Sequence, residues 1–242
     1  MKSSAAHYDS HLGPVYAWML GDLDAAFRRA EAELNDVYLP HEPGALAVDL
    51  GAGLGLHSVA LARQGFRVLA IDSCALLLEE LKRRTVGMSV TAIEGDLTDF
   101  PRYTGGKVDA ILCMGDTLTH LPSVESVETL LDRAEASLGA EGVFVATFRD
   151  YVSRELQGDE RFILVRRDEE RVLTCFLEYG EGVVTVHDIL TERREGEWVQ
   201  TVSSYPKLRL APDWLIERLK ARGLTARRET APAGMVRIYA RR

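Results

Sequence analysis

Asp49-Leu50-Gly51-Ala52-Gly53-Leu54-Gly55 follows the apolar run Ala45-Leu46-Ala47-Val48, and Asp72 closes the next apolar run. A strand that feeds a glycine-rich turn and then a helix brings bare backbone N–H groups beside a ligand. An acid about 20 positions further on is in reach of ribose hydroxyls. Strand, turn, helix and acid occur here in register, so the expected ligand is a nucleoside cofactor.

The glycine spacing bears on which nucleoside. A dinucleotide fingerprint runs G-x-G-x-x-G, its third glycine allowing the helix to pack on the strand. Here the glycines are 51, 53 and 55, and position 56 is Leu. A pyrophosphate gains from a helix N-terminus, whereas S-adenosylmethionine carries no phosphate and needs only a thin loop. Asp49 would repel a phosphate and attract a cationic amino group. The expectation is therefore S-adenosylmethionine rather than NAD.

Ligands of open parallel sheets sit off the carboxyl ends of the strands. The candidate positions are then Asp49 to Gly53 with Ala52, Asp72-Ser73, Asp96-Leu97, and Met114-Gly115-Asp116-Thr117. Asp72 suits the ribose hydroxyls and equally suits a helix N-cap. Asp96 can accept from an adenine amino group while Leu97 covers the ring, or the same residues form a solvated turn. Methyl transfer from a sulfonium needs positioning and a dry site more than a covalent relay. Asp116, Thr117 and His120, with Arg149 and Tyr151 after the next strand, are candidates for the substrate side. His120 also fits a role that merely satisfies its turn in Thr119-His120-Leu121-Pro122.

The elements that must position these residues are legible as apolar runs at 45–50, 66–71, 88–93, 108–114 and 142–148, with amphipathic helical patterns at 55–64, 74–84 and 123–138. Strand and helix in alternation imply a doubly wound, mostly parallel sheet with helices on both faces. After Asp150 the rhythm changes to strand-like runs at 161–167, 171–179, 182–191 and 197–205, an inserted antiparallel meander. A helix at 213–222 and strands at 224–229 and 235–240 close a sheet of seven strands. The expected division is a helical cap over 1–40, a Rossmann-like core over 41–150 and 207–242, and the insertion over 151–206. The cap fits a moving lid as well as it fits a helix packed on the sheet.

A net charge of -8 with dispersed basic residues argues against nucleic acid as partner, and 46% hydrophobic composition suffices for one large domain. No apolar stretch has the length of a membrane span, and Met1 to Leu12 does not read as a signal peptide, so a cytoplasmic protein is expected. Oligomeric state is open, a homo-oligomer included. Cys74, Cys113 and Cys175 lack metal-ligand spacing and read as reduced, buried thiols; no metal is expected. His7, His11, His41, His57 and His187 have no partners in sequence and read as structural or solvated.

Across roughly its whole length the chain resembles the class I S-adenosylmethionine-dependent methyltransferases, through DLGAGLG, Asp72, EGDL and the closing strand pair. The strings CMGDTLTHLP (113–122), FRDY (148–151) and SSYP (203–206), with the meander between the last two, resemble glycine and sarcosine N-methyltransferases. The resemblance implies that Arg149 grips a substrate carboxylate, that Tyr205 is a substrate-side tyrosine and that Tyr16 is an aromatic lid residue at the cofactor. At Asp116 that family has Asn. A carboxylate there would repel a substrate carboxylate, and could hold a cationic amine or pair with Arg149. The expected function is methyl transfer to a small amine or amino-acid-like acceptor. The alternatives are a non-catalytic S-adenosylmethionine-binding protein that uses the meander for protein contact, and an NAD-linked oxidoreductase.

Overall fold

Leu46, Val48 and Leu50 pack into one hydrophobic cluster while Ala45 and Ala47 pack into another on the opposite side, so the first strand is buried on both faces. This is the signature of a central parallel strand, and the computed structural model, which describes residues 2–40, 42 and 44–242, bears it out. His41 lies outside the described residues.

The strands, in chain order, are β1 (Leu46–Leu50), β2 (Arg67–Asp72), β3 (Val90–Glu94), β4 (Val108–Cys113), β5 (Leu138–Phe148), β6 (Phe162–Arg167), β7 (Arg171–Tyr179), β8 (Val183–Arg194), β9 (Glu197–Leu208), β10 (Thr225–Thr230) and β11 (Val236–Arg241). Seven of them form one sheet in the order β10-β11-β5-β4-β1-β2-β3; β6 to β9 form a second, four-stranded sheet in sequence order. Within the large sheet β1 to β5 pair in parallel, and β11 runs antiparallel to both β5 and β10. The doubly wound sheet and the antiparallel meander are thus both present.

The helices are α1 (Ser4–His7), α2 (Tyr16–Leu20), α3 (Leu23–Asn35), α4 (Leu56–Arg63), α5 (Ala75–Arg84), α6 (Pro101–Thr104), α7 (Val124–Ser137) and α8 (Pro212–Ala221). Asp22 caps α3 by accepting from the Ala25 N–H, and Ser123 caps α7 by accepting from the Ser126 N–H. The first twenty residues are not one amphipathic helix. A π-helical turn at Tyr8–Leu12 and a 3-10 turn at Gly13–Val15 separate α1 from α2, and Leu12 and Val15 pack on Leu173 of β7 and Leu190 of β8.

Two boundaries differ from the sequence pattern. β5 begins at Leu138 rather than at Gly142 and so takes in Gly139, at a register shift between Val108 and Ala110 of β4. The turn between β8 and β9 shrinks to Glu195-Gly196, both with positive φ, and β8 continues through the charged residues to Arg194. Pro206 is tolerated within β9 because that strand is an edge of its sheet.

Gly55 caps α4 with φ of 91°, and a Cβ there would lie 2.8 Å from Leu81 Cγ. Gly65 has a similar φ of 95° with open space around it. Gly65→Ala is therefore expected to cost only the left-handed backbone penalty of about 1–2 kcal/mol. Gly55→Ala should cost clearly more, because Leu81 must also move; denaturant titration of the two variants checks the order.

Candidate active site

β1, β2, β3 and β4 end side by side, and their loops line a cavity of about 360 Å³. Its wall contains Gly51, Ala52, Gly53, Asp72, Ser73, Asp96, Leu97, Met114, Thr117, His120 and Tyr16, which are sequence-derived candidates. Tyr8, Ser4 and Ala5 join them from the N-terminal segment, so this segment covers the cavity as well as packing on the meander.

The glycine loop works differently from the expectation of free donors. The N–H groups of Gly51 and Ala52 both donate to the Ile71 carbonyl, at 2.8 and 3.0 Å, and that of Gly53 donates to Asp72 Oδ2 at 2.8 Å. These donors are already spent, and what the loop offers a ligand is close approach. Gly51 has a φ of 72°, and any Cβ there would collide with the Thr117 side chain, so the thinness is obligatory.

Asp72 does both things that its position allows. Its Oδ1 accepts from the Cys74 N–H at 2.8 Å and its Oδ2 clamps the loop through Gly53, while the carboxylate still lines the cavity. Burial pushes its pKa up, and these backbone donors offset only part of that. Asp96 accepts from the N–H and hydroxyl of Thr98, each at 2.7 Å, and also lines the wall. Asp49 does not reach the cavity: it is 1% exposed and accepts from Ser58 Oγ at 2.6 Å, and burial raises its pKa. Through Ser58 it anchors α4 to β1.

Behind the wall, where the end of β4 meets the inner face of the meander, lies an ionic cluster. Asp116, 1% exposed, sits in a left-handed conformation with φ of 80°, a region that Asp enters more readily than most residues. Its Oδ2 accepts from Lys207 Nζ at 2.6 Å, from Tyr151 Oη at 3.3 Å and from Arg149 Nη1 at 3.4 Å; its Oδ1 accepts from the Arg149 N–H at 3.0 Å. Burial pushes the Asp116 carboxyl up, but Lys207, His120 and Arg149 more than reverse this and hold it well below the usual carboxylate range. Burial likewise opposes the charge on Lys207, and Asp116 outweighs it and raises the pKa of the amine. The Arg149 side chain remains 47% exposed. One carboxylate therefore faces two cations, and the cluster carries a net positive charge.

His120 stands between cavity and cluster. Its ring lies 5.6 Å from that of Tyr205 and 5.7 Å from that of Tyr8, and its buried Nε2 has no hydrogen-bond partner among the described residues. Burial and the nearby Lys207 charge hold it down to about 3, so it is neutral at ordinary pH. Of the six residues expected on the substrate side, Thr117 and His120 line the cavity. Asp116, Arg149, Tyr151 and Tyr205 gather behind them.

Sequence reasoning missed Lys207, although its signal was there: Ser203, Tyr205 and Lys207 share the buried alternation of β9. His7, read as structural or solvated, is structural and fully buried. Asp188 Oδ2 and Ser203 Oγ each lie 2.9 Å from its ring nitrogens, and it stacks on Tyr205 at 4.1 Å. No local pattern announces partners 181 residues apart. Cys113 is a buried strand residue whose thiol burial pushes up, as expected of a structural cysteine. No group of His, Cys, Asp and Glu that could hold a metal occurs among the described residues.

Residues 47–142 match the family model described as a methyltransferase domain. The chain is 31% identical over 106 residues to a glycine/sarcosine N-methyltransferase of Halorhodospira halochloris, a match covering 43% of this chain and 40% of that protein. It is 32% identical over 135 residues to the protein of that name from Parasynechococcus marenigrum (strain WH8102), covering 54% and 47%. The chain thus spans less than half the length of these curated relatives. The CcbJ methyltransferase of Streptomyces caelestis superposes with a TM-score of 0.79 at 17% identity over 97% of each chain, which shows a common fold.

An imidazole held neutral in the folded protein makes stability pH-dependent. Above the unfolded value of about 6.5 the contribution is complete, and it falls as pH drops toward the folded value, because the unfolded chain takes up the proton first. Denaturant titrations from pH 7 to 4 should show the protein losing stability on the order of a few kcal/mol more than His120→Gln does over that window. Equal losses would mean that the ring titrates freely.

Proposed function

We propose that this class I S-adenosylmethionine-dependent methyltransferase methylates the amino group of a small acceptor that also carries a carboxylate, as an amino acid does. The observation that carries this reading is the net positive cluster of Asp116, Lys207 and Arg149 behind a neutral, unpartnered His120. The relatives named as glycine/sarcosine N-methyltransferases agree with the acceptor class.

The cavity suits the cofactor chemically. No Lys or Arg occurs among the described residues of its wall, while Asp72 and Asp96 do, so it favours a phosphate-free cationic nucleoside over a dinucleotide. Asp72 would hold the ribose, Asp96 and Leu97 the adenine, and Tyr16 and Met114 the remainder. When bound, S-adenosylmethionine supplies an electrophilic methyl group on a sulfonium, and S-adenosylhomocysteine is the product.

The protein's own part is orientation. Arg149, half-exposed and tethered through Asp116, takes the acceptor carboxylate. Asp116 does not repel that carboxylate, because Lys207 and Arg149 already neutralise it. His120 Nε2 accepts an N–H of the acceptor and so aims its lone pair toward the cavity. With a pKa near 3 it directs the amine rather than stores its proton, which leaves to water as the N–C bond forms. Tyr205 backs the His120 ring from the meander.

The second reading, a binding protein that uses the meander for contacts, draws on the exposed apolar outer face of that sheet. Catalysis needs only the inner face, so the two uses do not compete.

A labelled methyl donor offered with amino acids and with their decarboxylated amines tests the reading. Transfer to the amino acids is expected to exceed transfer to the amines by at least roughly tenfold, and Arg149→Met should raise KM by about 10–100-fold, the worth of one charged hydrogen-bonded contact. Equal use of both acceptor sets would refute the carboxylate assignment. Asp72→Asn is expected to weaken S-adenosylmethionine binding by about 10-fold or more in calorimetry, without altering the acceptor preference.

A further inference from the structure

The register of the four-stranded sheet sorts its side chains cleanly. Ser203, Tyr205 and Lys207 face the core, whereas Leu164, Thr174, Ile189 and Val202 form one cross-strand row on the other face, beside the row Phe162, Phe176, His187 and Ser204. This outer face is apolar and uncovered: Phe162 is 55% exposed, Leu164 55%, Trp198 53% and Val202 57%. Monomeric proteins seldom leave contiguous apolar patches of this kind bare.

We propose that this face is a self-association surface, on which a second copy of the chain packs sheet against sheet about a two-fold axis. Four strands at about 4.8 Å spacing and about eight residues of strand length give a flat area on the order of 450 Å² per copy. Two copies then approach the roughly 1,000 Å² that a specific interface needs, before side-chain relief is counted.

The charge pattern selects the partner and the axis. The two central rows contain no Asp, Glu, Lys or Arg of their own, and the Arg161 guanidinium lies over the Phe176 ring of the second row. Glu178, with a 63% exposed side chain, marks one end of the face, and Arg193, exposed and paired in register with Trp198, marks the other. A two-fold axis in the interface plane and perpendicular to the strands sets each Glu178 end against the Arg193 end of its mate. It also lays the central row of Leu164, Ile189 and Val202 on its own copy. An axis along the strands would instead bring like charges together.

Sedimentation equilibrium of the full chain at micromolar concentration tests this. The expected mass is twice 26.9 kDa. Leu164→Glu with Val202→Glu should weaken the dimer by at least about 100-fold, since each places an unpaired charge in the contact. Val86→Glu, at an 82% exposed position far from this sheet, should leave it intact. Glu178→Arg, which also removes the 3.1 Å contact of Glu178 Oε2 with His187 Nε2, should weaken association, and Arg193→Glu added to it should restore it. A monomeric wild-type chain overturns the proposal, as does a dimer that survives the double substitution or a charge swap without rescue.

Discussion

Asp116 and Lys207 are both buried, and neither is tolerable there without the other. Stripping one partner from such a pair leaves an uncompensated charge in a poor dielectric, at a cost of about 3–5 kcal/mol. The pair also bridges two sheets. Asp116 stands at the end of β4 in the large sheet and Lys207 near the end of β9 in the small one, so the interaction fixes how the inserted meander sits on the core. Arg149 and Tyr151 share the same carboxylate, and the cluster is therefore organised around one hydrogen-bond acceptor group rather than around several independent contacts.

The cavity obeys a different constraint. The N–H groups of Gly51, Ala52 and Gly53 close onto Ile71 and Asp72. Side chains at strand ends and aromatic residues of the N-terminal segment supply much of its wall. That segment is held through His7, wedged between Asp188 and Ser203 and stacked on Tyr205. The cover of one chamber is thus fastened to the wall of the other.

The large sheet was legible because buried parallel strands leave short, uniformly apolar runs separated by amphipathic helices, and β1 to β4 conform. β5 and the β8–β9 turn were read less accurately, since the stretch around Gly139 and the charged run at Arg193-Arg194 look like loop when the strands in fact continue. The strand-end residues that line the cavity could be read for the same reason as the strands; sequence shows that Asp49 ends β1 but not that it faces Ser58. The ionic cluster was half legible. Asp116, Arg149 and His120 sit in loops that follow strands, whereas Lys207 and His7 acquire their partners only when distant segments meet.

The alternation of β9 has one more implication. Ser203, Tyr205 and Lys207 look toward the core, while Val202 and Ser204 look outward. Neighbouring codons thus govern different faces, and the ionic cluster and the outer surface can drift separately by point substitution. A single-residue insertion between Gln200 and Ser203 would instead invert the strand, exile the lysine and bury the hydrophobes, so this short stretch tolerates replacement far better than changes in length.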